Sequence, residues 1–308
     1  MSDDSRQLVG LGVHERIDYL CMVGQVERAR ELAAQQIADS PDRPESYLAL
    51  ARVLIMMREL DAAIAAARQA VTMAPDWSNA WSIHSAALFN AGRFAEAETS
   101  IREAIRLLPD RAIYFLRYAR ILKFCGKSGP ALELATKALE LDPDDQDAHQ
   151  LVAQLLLEVS PSKWRLSEEA ARRAIALDPE DDDGFAILGG IQLSRRRYDE
   201  AEESYRAALT LNAHNAMALN GLAHVVMSRN WLYAPFLWYA LLMSRAGMAT
   251  RLLVVAGIWA FVSLLRATFF HAEPANSIVS VAYLAVCAYT WFAEPVTRAI
   301  LRRRYRWL

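Results

Sequence analysis

Apolar residues recur three and four positions apart along most of the chain, with short polar turns between the runs. That spacing predicts one amphipathic helix after another and no strand. Four stretches show the same order of small, large and charged positions: "VGQVERARELAAQQIADSP", "MRELDAAIAAARQAVTMAP", "AGRFAEAETSIREAIRLLP" and "RRRYDEAEESYRAALTLNA". The prolines that close such stretches, Pro41, Pro75, Pro109 and Pro143, stand 34 residues apart. Pro179 follows 36 residues on, and Ala213 takes the same place after another 34. A recurrence this regular marks a structural unit.

Each unit divides into two helices. Small residues (Ala97, Ala131 and Ala201; Ala70, Ala104, Ala138, Ala174 and Ala208) let the two helices approach, and large ones (Tyr47, Trp81, Phe115, Phe185) fill the gap to the next pair. The closing Pro cannot continue a helix, so it ends one unit and leads into the next. Leu88, Gln192 and Gly189 occupy further places of the pattern. With these residues at a 34-residue period, the chain resembles the tetratricopeptide-repeat (TPR) family over about residues 10–249. The units are 10–43, 44–77, 78–111, 112–145, 146–181 and 182–215, and a seventh starts at 216. The first is irregular, with Val13 at the aromatic place; the fifth carries two extra residues, placed in its internal turn at 159–164. The expected fold class is all-α: a TPR α-solenoid of six to seven repeats followed by a transmembrane helical hairpin.

The pattern changes after residue 230. The segment 233–246, "YAPFLWYALLMSRA", is apolar on nearly every side, although the last helix of a repeat array needs a polar outer face in water. Two runs follow, 252–270 with one charge (Arg266) and 277–293 with none. Each is long enough, at ~1.5 Å per residue, to span or nearly span a bilayer core of ~30 Å. The expected domains are therefore a cytoplasmic solenoid (1–230), an interfacial helix of the degenerate last repeat (231–250) and a membrane hairpin with a basic tail (251–308). Arg251 precedes the first run, and Arg302, Arg303 and Arg304 follow the second, while the loop between them has no Lys or Arg. Both termini are then expected to be cytoplasmic. Trp231, Trp238 and Trp291 suit the interfacial aromatic belts. Arg outnumbers Lys 30 to 4, a bias that leans toward a bacterial inner membrane.

Charge supports this division. Residues 231–308 hold eight Arg and two acids, net +6, leaving 26 basic against 34 acidic residues, net −8, in the remainder. An acidic body argues against nucleic acid as its partner, and a basic tail suits anionic lipid. Cys21, Cys125 and Cys287 share no metal or redox spacing and are expected to be buried small hydrophobes. No secretory signal is visible in "MSDDSRQLVGLG".

Catalytic chemistry is not legible. "VGLGVHE" has two glycines and no preceding strand; "HERID" lacks the second His of a zinc-protease helix. The six His have no ligand spacing to one another or to a Cys. The acid runs "DPEDDDG" (178–184) and "DPDDQD" (142–147) are expected to be helix caps; the first misses the Gly and Glu places of a calcium loop. No enzyme, metal or cofactor is expected.

The resemblance implies a concave groove lined by the first helix of each repeat, at places 2, 5, 9 and 12. Mapped here, that groove contains Leu48, Arg52, Ile55, Phe89, Leu116, Arg120 and Lys123, apolar anchors with three cations. They either receive a peptide with apolar and acidic groups or merely balance nearby acids. Some family members clamp a chaperone's C-terminal carboxylate with Lys and Asn. The corresponding residues here are Leu48, Arg52, Ile83, Ile113 and Arg117, without Asn, so that role is not carried over. The expected function is a membrane-anchored scaffold that binds a protein or peptide partner, with the bilayer as its second partner. The alternative is a structural or assembly subunit whose hairpin is the working part. Oligomeric state is left open.

Overall fold

The computed structural model describes residues 12–229, which form thirteen α-helices and one short 3-10 turn. They fall into two compact units that divide between Pro179 and Glu180. The first unit holds five helix pairs: α1 (Val13–Met22) with α2 (Val26–Asp39), α3 (Pro44–Met56) with α4 (Leu60–Met73), α5 (Ser78–Asn90) with α6 (Phe94–Leu107), α7 (Ala112–Phe124) with α8 (Ser128–Leu141), and α9 (Gln146–Val159) with α10 (Trp164–Leu177). The second unit contains α11 (Asp182–Ser194), α12 (Tyr198–Leu211) and α13 (Ala216–Arg229). The two helices of a pair pack on each other, and consecutive first helices also touch: α1 with α3, α3 with α5, α5 with α7, and α7 with α9.

The small positions explain the pairing. Ala63, Ala97, Ala131 and Ala201 are fully buried near the start of each second helix, as are Ala51, Ala119 and Ala153 on the facing first helices. With only a methyl group between them the helix backbones come close, and polar atoms can reach across. Ser85 Oγ donates to the carbonyl of Ala97 at 2.7 Å. The fifth pair carries its Ser on the opposite helix, and Ser167 Oγ donates to the carbonyl of Ala153 at 2.6 Å. The two extra residues of this repeat form the 3-10 turn Pro161–Lys163 between α9 and α10.

Helix ends follow from local chemistry. Helices α2, α4, α6, α8 and α10 each stop two residues before a Pro, whose ring disfavours helical backbone in the residue before it. At the aromatic place of the next helix, Trp81 Nε1 donates to the carbonyl of Pro75 at 2.7 Å. His149 occupies that place in the fifth repeat, and its Nε2 donates to the Pro143 carbonyl at 2.9 Å. The internal turns need a left-handed residue, supplied by Gly24, Gly92 and Gly126 at φ near +74°. Arg58 and Arg196 take the same conformation with a side chain attached, which costs each about 1 kcal/mol relative to Gly. The acid runs are caps, as their spacing implied. Asp145 accepts from the Ala148 amide at 3.0 Å and Asp181 from the Gly184 amide at 3.0 Å. Among the described residues no group of His, Cys, Asp or Glu converges as a metal site.

Three expectations need correction or lie elsewhere. Cys21 is only half-buried, packed at the edge of the first core cluster, and Cys125 is exposed at the turn after α7, so neither is the fully buried residue expected; Cys287 lies outside the described residues. No helix among the described residues is long and apolar enough to cross a membrane. The runs 252–270 and 277–293, with Trp231, Trp238, Arg251, Trp291, Arg302, Arg303 and Arg304, lie outside the described residues.

In the second unit Tyr205 is the central buried side chain, and burial pushes its hydroxyl up to about 12. A methyl group built on Gly221 would stand 2.1 Å from its ring, and one on Gly189 2.8 Å. Both glycines exist to admit that ring. Replacing Gly221 with Ala is expected to destabilise the second unit by about 2 kcal/mol through overpacking. Gly129→Ala, at a helical site with open space around it, is expected to stabilise slightly, by about 0.5 kcal/mol. Thermal unfolding followed by circular dichroism, with hydrogen exchange of α12 and α13, checks the pair. The account fails if Gly221→Ala melts like the wild type.

His84, on α5, provides a second check. Its Nδ1–H meets Ser100 Oγ at 3.1 Å, Ser100 Oγ itself donates to the Glu96 carbonyl, and Nε2 is buried without a hydrogen-bond partner among the described residues. Burial, then Arg68 and Arg93, hold its pKa below the ordinary 6.5, against the opposing charge of Glu96. The unfolded chain therefore binds this proton at a pH where the folded chain does not. Stability is expected to fall as pH drops below about 6.5. His84→Gln, which keeps a hydrogen-bonding side chain and cannot titrate, should flatten the decline in Tm between pH 6.5 and 5. An unchanged slope removes His84 as its source.

Candidate functional site

The first helices of the first unit present one continuous face, because each touches the next. The spacing-derived groove residues divide into three groups on it. Leu48 and Leu116 are 4% and 1% exposed, so they belong to the core beneath the face and offer no surface to a ligand. Place 5 of a first helix is covered here by neighbouring helices, which the linear pattern does not reveal. Ser82, at the same place of α5, is fully buried as well.

Ile55 and Phe89 are half-buried. The Phe89 ring packs tilted on Phe94 at 5.7 Å and edge-on to Phe124 at 5.0 Å, while Phe94 and Phe124 are stacked at 6.0 Å. Three rings from two repeats thus meet beside the internal turns.

The three mapped cations all have partners. Arg52 on α3 pairs with Asp18 on α1, at 2.6 Å for its shorter contact. Arg120 on α7 pairs with Asp147 on α9 at 2.8 Å. Lys123 donates to Gln154 Oε1; burial lowers its pKa, with Glu158 opposing that shift and Arg120 adding to it. The first two pairs are half-exposed and worth about 0–1 kcal/mol each. For Arg52 and Arg120 the structure gives the charge-balancing contacts that were one of the two open readings, whereas Lys123 bonds to a neutral amide.

Arg117, which lies outside places 2, 5, 9 and 12, differs from them. It projects from α7 toward α5 and donates to Ser82 Oγ. It is largely buried, and no carboxylate among the described residues forms an ion pair with it. Burial lowers its pKa first; Arg120 and Arg52 lower it further, and only Tyr114 acts the other way. A guanidinium remains protonated under these conditions, so the site holds a partly desolvated cation beside two further cations. Such a charge is stabilised by an incoming carboxylate. The sequence signal was faint. Arg117 stood out only as one of the family's clamp places, in a set whose other members do not match.

Comparison with known proteins supports the repeat reading. Residues 22–87 and 161–223 each match a model of the tetratricopeptide repeat. A search of the curated proteins found no match. Among solved structures, the Cut9–Hcn1 hetero-tetramer of the APC/C aligns at 16% identity and a TM-score of 0.64, over 70% of this chain and 42% of that one. PilF of Pseudomonas aeruginosa aligns at 16% and 0.56, over 68% of this chain and 94% of its own. Yeast Tom70 aligns at 16% and 0.54, over 66% and 43%. At these identities the likeness concerns the fold. The 34-residue period, the paired helices with alanine contacts, and the two family matches on either side of the middle repeats identify tetratricopeptide repeats in this chain, at residues 22–87 and 161–223.

Proposed function

We propose that this chain is a non-catalytic adaptor, held at the cytoplasmic face of a membrane by residues 252–293, and that its first-helix face receives an acidic group of a protein partner at Arg117. Tetratricopeptide repeats mediate protein–protein interactions, which sets the class. The observation that carries the site is a largely buried guanidinium with no carboxylate partner among the described residues, bonded to Ser82 and crowded by Arg52 and Arg120. Those two arginines are already paired with Asp18 and Asp147 and act mainly by raising the local positive potential. An acid arriving there gains a charge-assisted bond and relieves repulsion among three cations. The anchor rests on the two long apolar runs and the arginines flanking them, with both termini inside and a bacterial inner membrane as the setting.

The binding site is tested by affinity capture from detergent extract with the full-length chain and its Arg117→Gln variant. A partner recovered by the wild type is expected to be reduced at least ten-fold by the variant, and its capture should weaken with added salt. An unchanged set of captured proteins rejects Arg117 as the anchor. The membrane placement is tested by alkaline carbonate. The chain is expected to stay with vesicles, and quantitative release into the supernatant rejects the anchor.

A further inference from the structure

The internal turns of the fourth and fifth repeats differ in charge from those before them. Residues 22–28, 56–62 and 90–96 together carry three cations and four acids, whereas 124–130 and 158–166 carry Lys127, Lys163 and Arg165 against one acid, Glu158. Ser128 Oγ donates to Glu158 Oε2 at 2.8 Å, which sets the two turns side by side. Lys127 stands 3.9 Å from Glu98, and Lys163 and Arg165 form no ion pair among the described residues. Glu169 follows one turn beyond Arg165 on α10. Apolar side chains stand among these cations. Phe124 is 65% exposed, Val159 41% and Leu166 52%, and the half-buried Trp164 ring has the Arg165 guanidinium 5.3 Å from its centroid. At the opposite ends of α8 and α9 the sign reverses. Residues 142–147 hold Asp142, Asp144, Asp145 and Asp147 and no cation, although Arg173 and Arg120 reach over to Asp144 and Asp147. Fourteen residues of helix put about 21 Å between the two ends.

We infer that the internal-turn edge of the fourth and fifth repeats rests on an anionic lipid surface, with Lys127, Lys163 and Arg165 among the headgroups and Phe124, Trp164 and Leu166 at the boundary of the acyl chains. This rests on the membrane placement proposed above and adds which edge of the repeats meets the bilayer. An anionic surface attracts the cations that come within a Debye length, about 8 Å at physiological salt. The aspartates at the far end then lie beyond that length, whereas the reverse orientation would press them against like charge. Opposite signs at the two ends therefore select one orientation. The exposed apolar side chains add burial that salt does not screen. Trp164 joins an apolar ring to a polar N–H, which suits the headgroup level. The two extra residues of the fifth repeat belong to this edge: the 3-10 turn Pro161–Lys163 presents Lys163 and leads directly into Trp164. A nucleic acid would also meet the cations, but it would leave Val159 and Leu166 in water.

The exposed thiol of Cys125 lies within this edge and serves as the reporter. The full-length chain is reconstituted into lipid nanodiscs of phosphatidylcholine alone or mixed equally with phosphatidylglycerol. Alkylation of Cys125 by an uncharged maleimide is timed by peptide mass spectrometry. The rate is expected to be lower by about five-fold or more in the anionic discs and to recover as salt is added. Lys163→Gln combined with Arg165→Gln changes two exposed side chains, and an unchanged melting curve shows that the variant folds. It is expected to bring the rate to within about two-fold of that in phosphatidylcholine. Asp110 stands one repeat before Asp144 at the acidic edge, and a thiol placed there by Asp110→Cys should react equally in both discs. Equal Cys125 rates in the two discs, with the chain retained in both, overturn the inference and leave the anchor standing. Equal protection of Asp110→Cys, or protection that persists in the double Gln variant, overturns it as well. If the chain joins neither disc, both readings fall. If it joins only the anionic discs and salt releases it, the anchor falls and the lipid-facing edge stands. Protection by soluble heparin without protection by phosphatidylglycerol assigns the cations to another polyanion and overturns the inference.

Discussion

In each repeat the two helices are brought nearly backbone to backbone, and the rest of the first unit depends on that approach. Alanine stands fully buried on both sides of the contact, and where serine replaces it the hydroxyl finds a carbonyl on the opposite helix. A larger side chain there would push the helices apart and open a gap that large residues at the next interface could not close. A single pair leaves one apolar face uncovered, so the next pair is required and the core accumulates by addition. The alternative solution appears in the second unit, where one tyrosine ring fills the space that two glycines vacate.

That additive construction also arranges the charged residues. Acid–arginine pairs four residues apart recur on the second helices, Glu98–Arg102, Glu168–Arg172 and Glu202–Arg206, each within 2.6 Å. Glu168 and Glu202 are buried, and their arginines reach over them to keep the charge satisfied. The first helices are different. Their cations find partners in neighbouring repeats, Arg52 one repeat back and Arg120 one repeat forward, and Arg117 bonds, among the described residues, to a hydroxyl and to no carboxylate. The contrast is what makes the first-helix face a candidate site. A structural ion pair is complete within the chain, whereas Arg117 gains from a group brought by another molecule.

The site residues were less legible than the fold. Ile55 and Phe89 lie at accessible places, but Leu48 and Leu116 are core residues. A rule based on position within a repeat does not show that neighbouring helices cover place 5, where Leu48, Ser82 and Leu116 are all buried. Arg117 falls outside the rule altogether, since its isolation follows from what does not stand near it. The exposed ends of the first helices were equally hidden. Met22, Met56 and Phe124 read as ordinary apolar positions until the turn that follows each is seen to leave them uncovered.

What the sequence determined by itself was the period, the two-helix unit, the small residues at the contact, the stop at each proline and the position of the two-residue insertion. These depend on neighbours within one or two turns, and local sterics and helical spacing are sufficient to impose them. Only the tertiary structure decided which mapped residues meet solvent, which cations are already paired, and that Cys125 is exposed while Tyr205 occupies the space of two glycines. Those outcomes depend on residues 12 to 36 positions away, where packing and the reach of long side chains, not periodicity, set the contact.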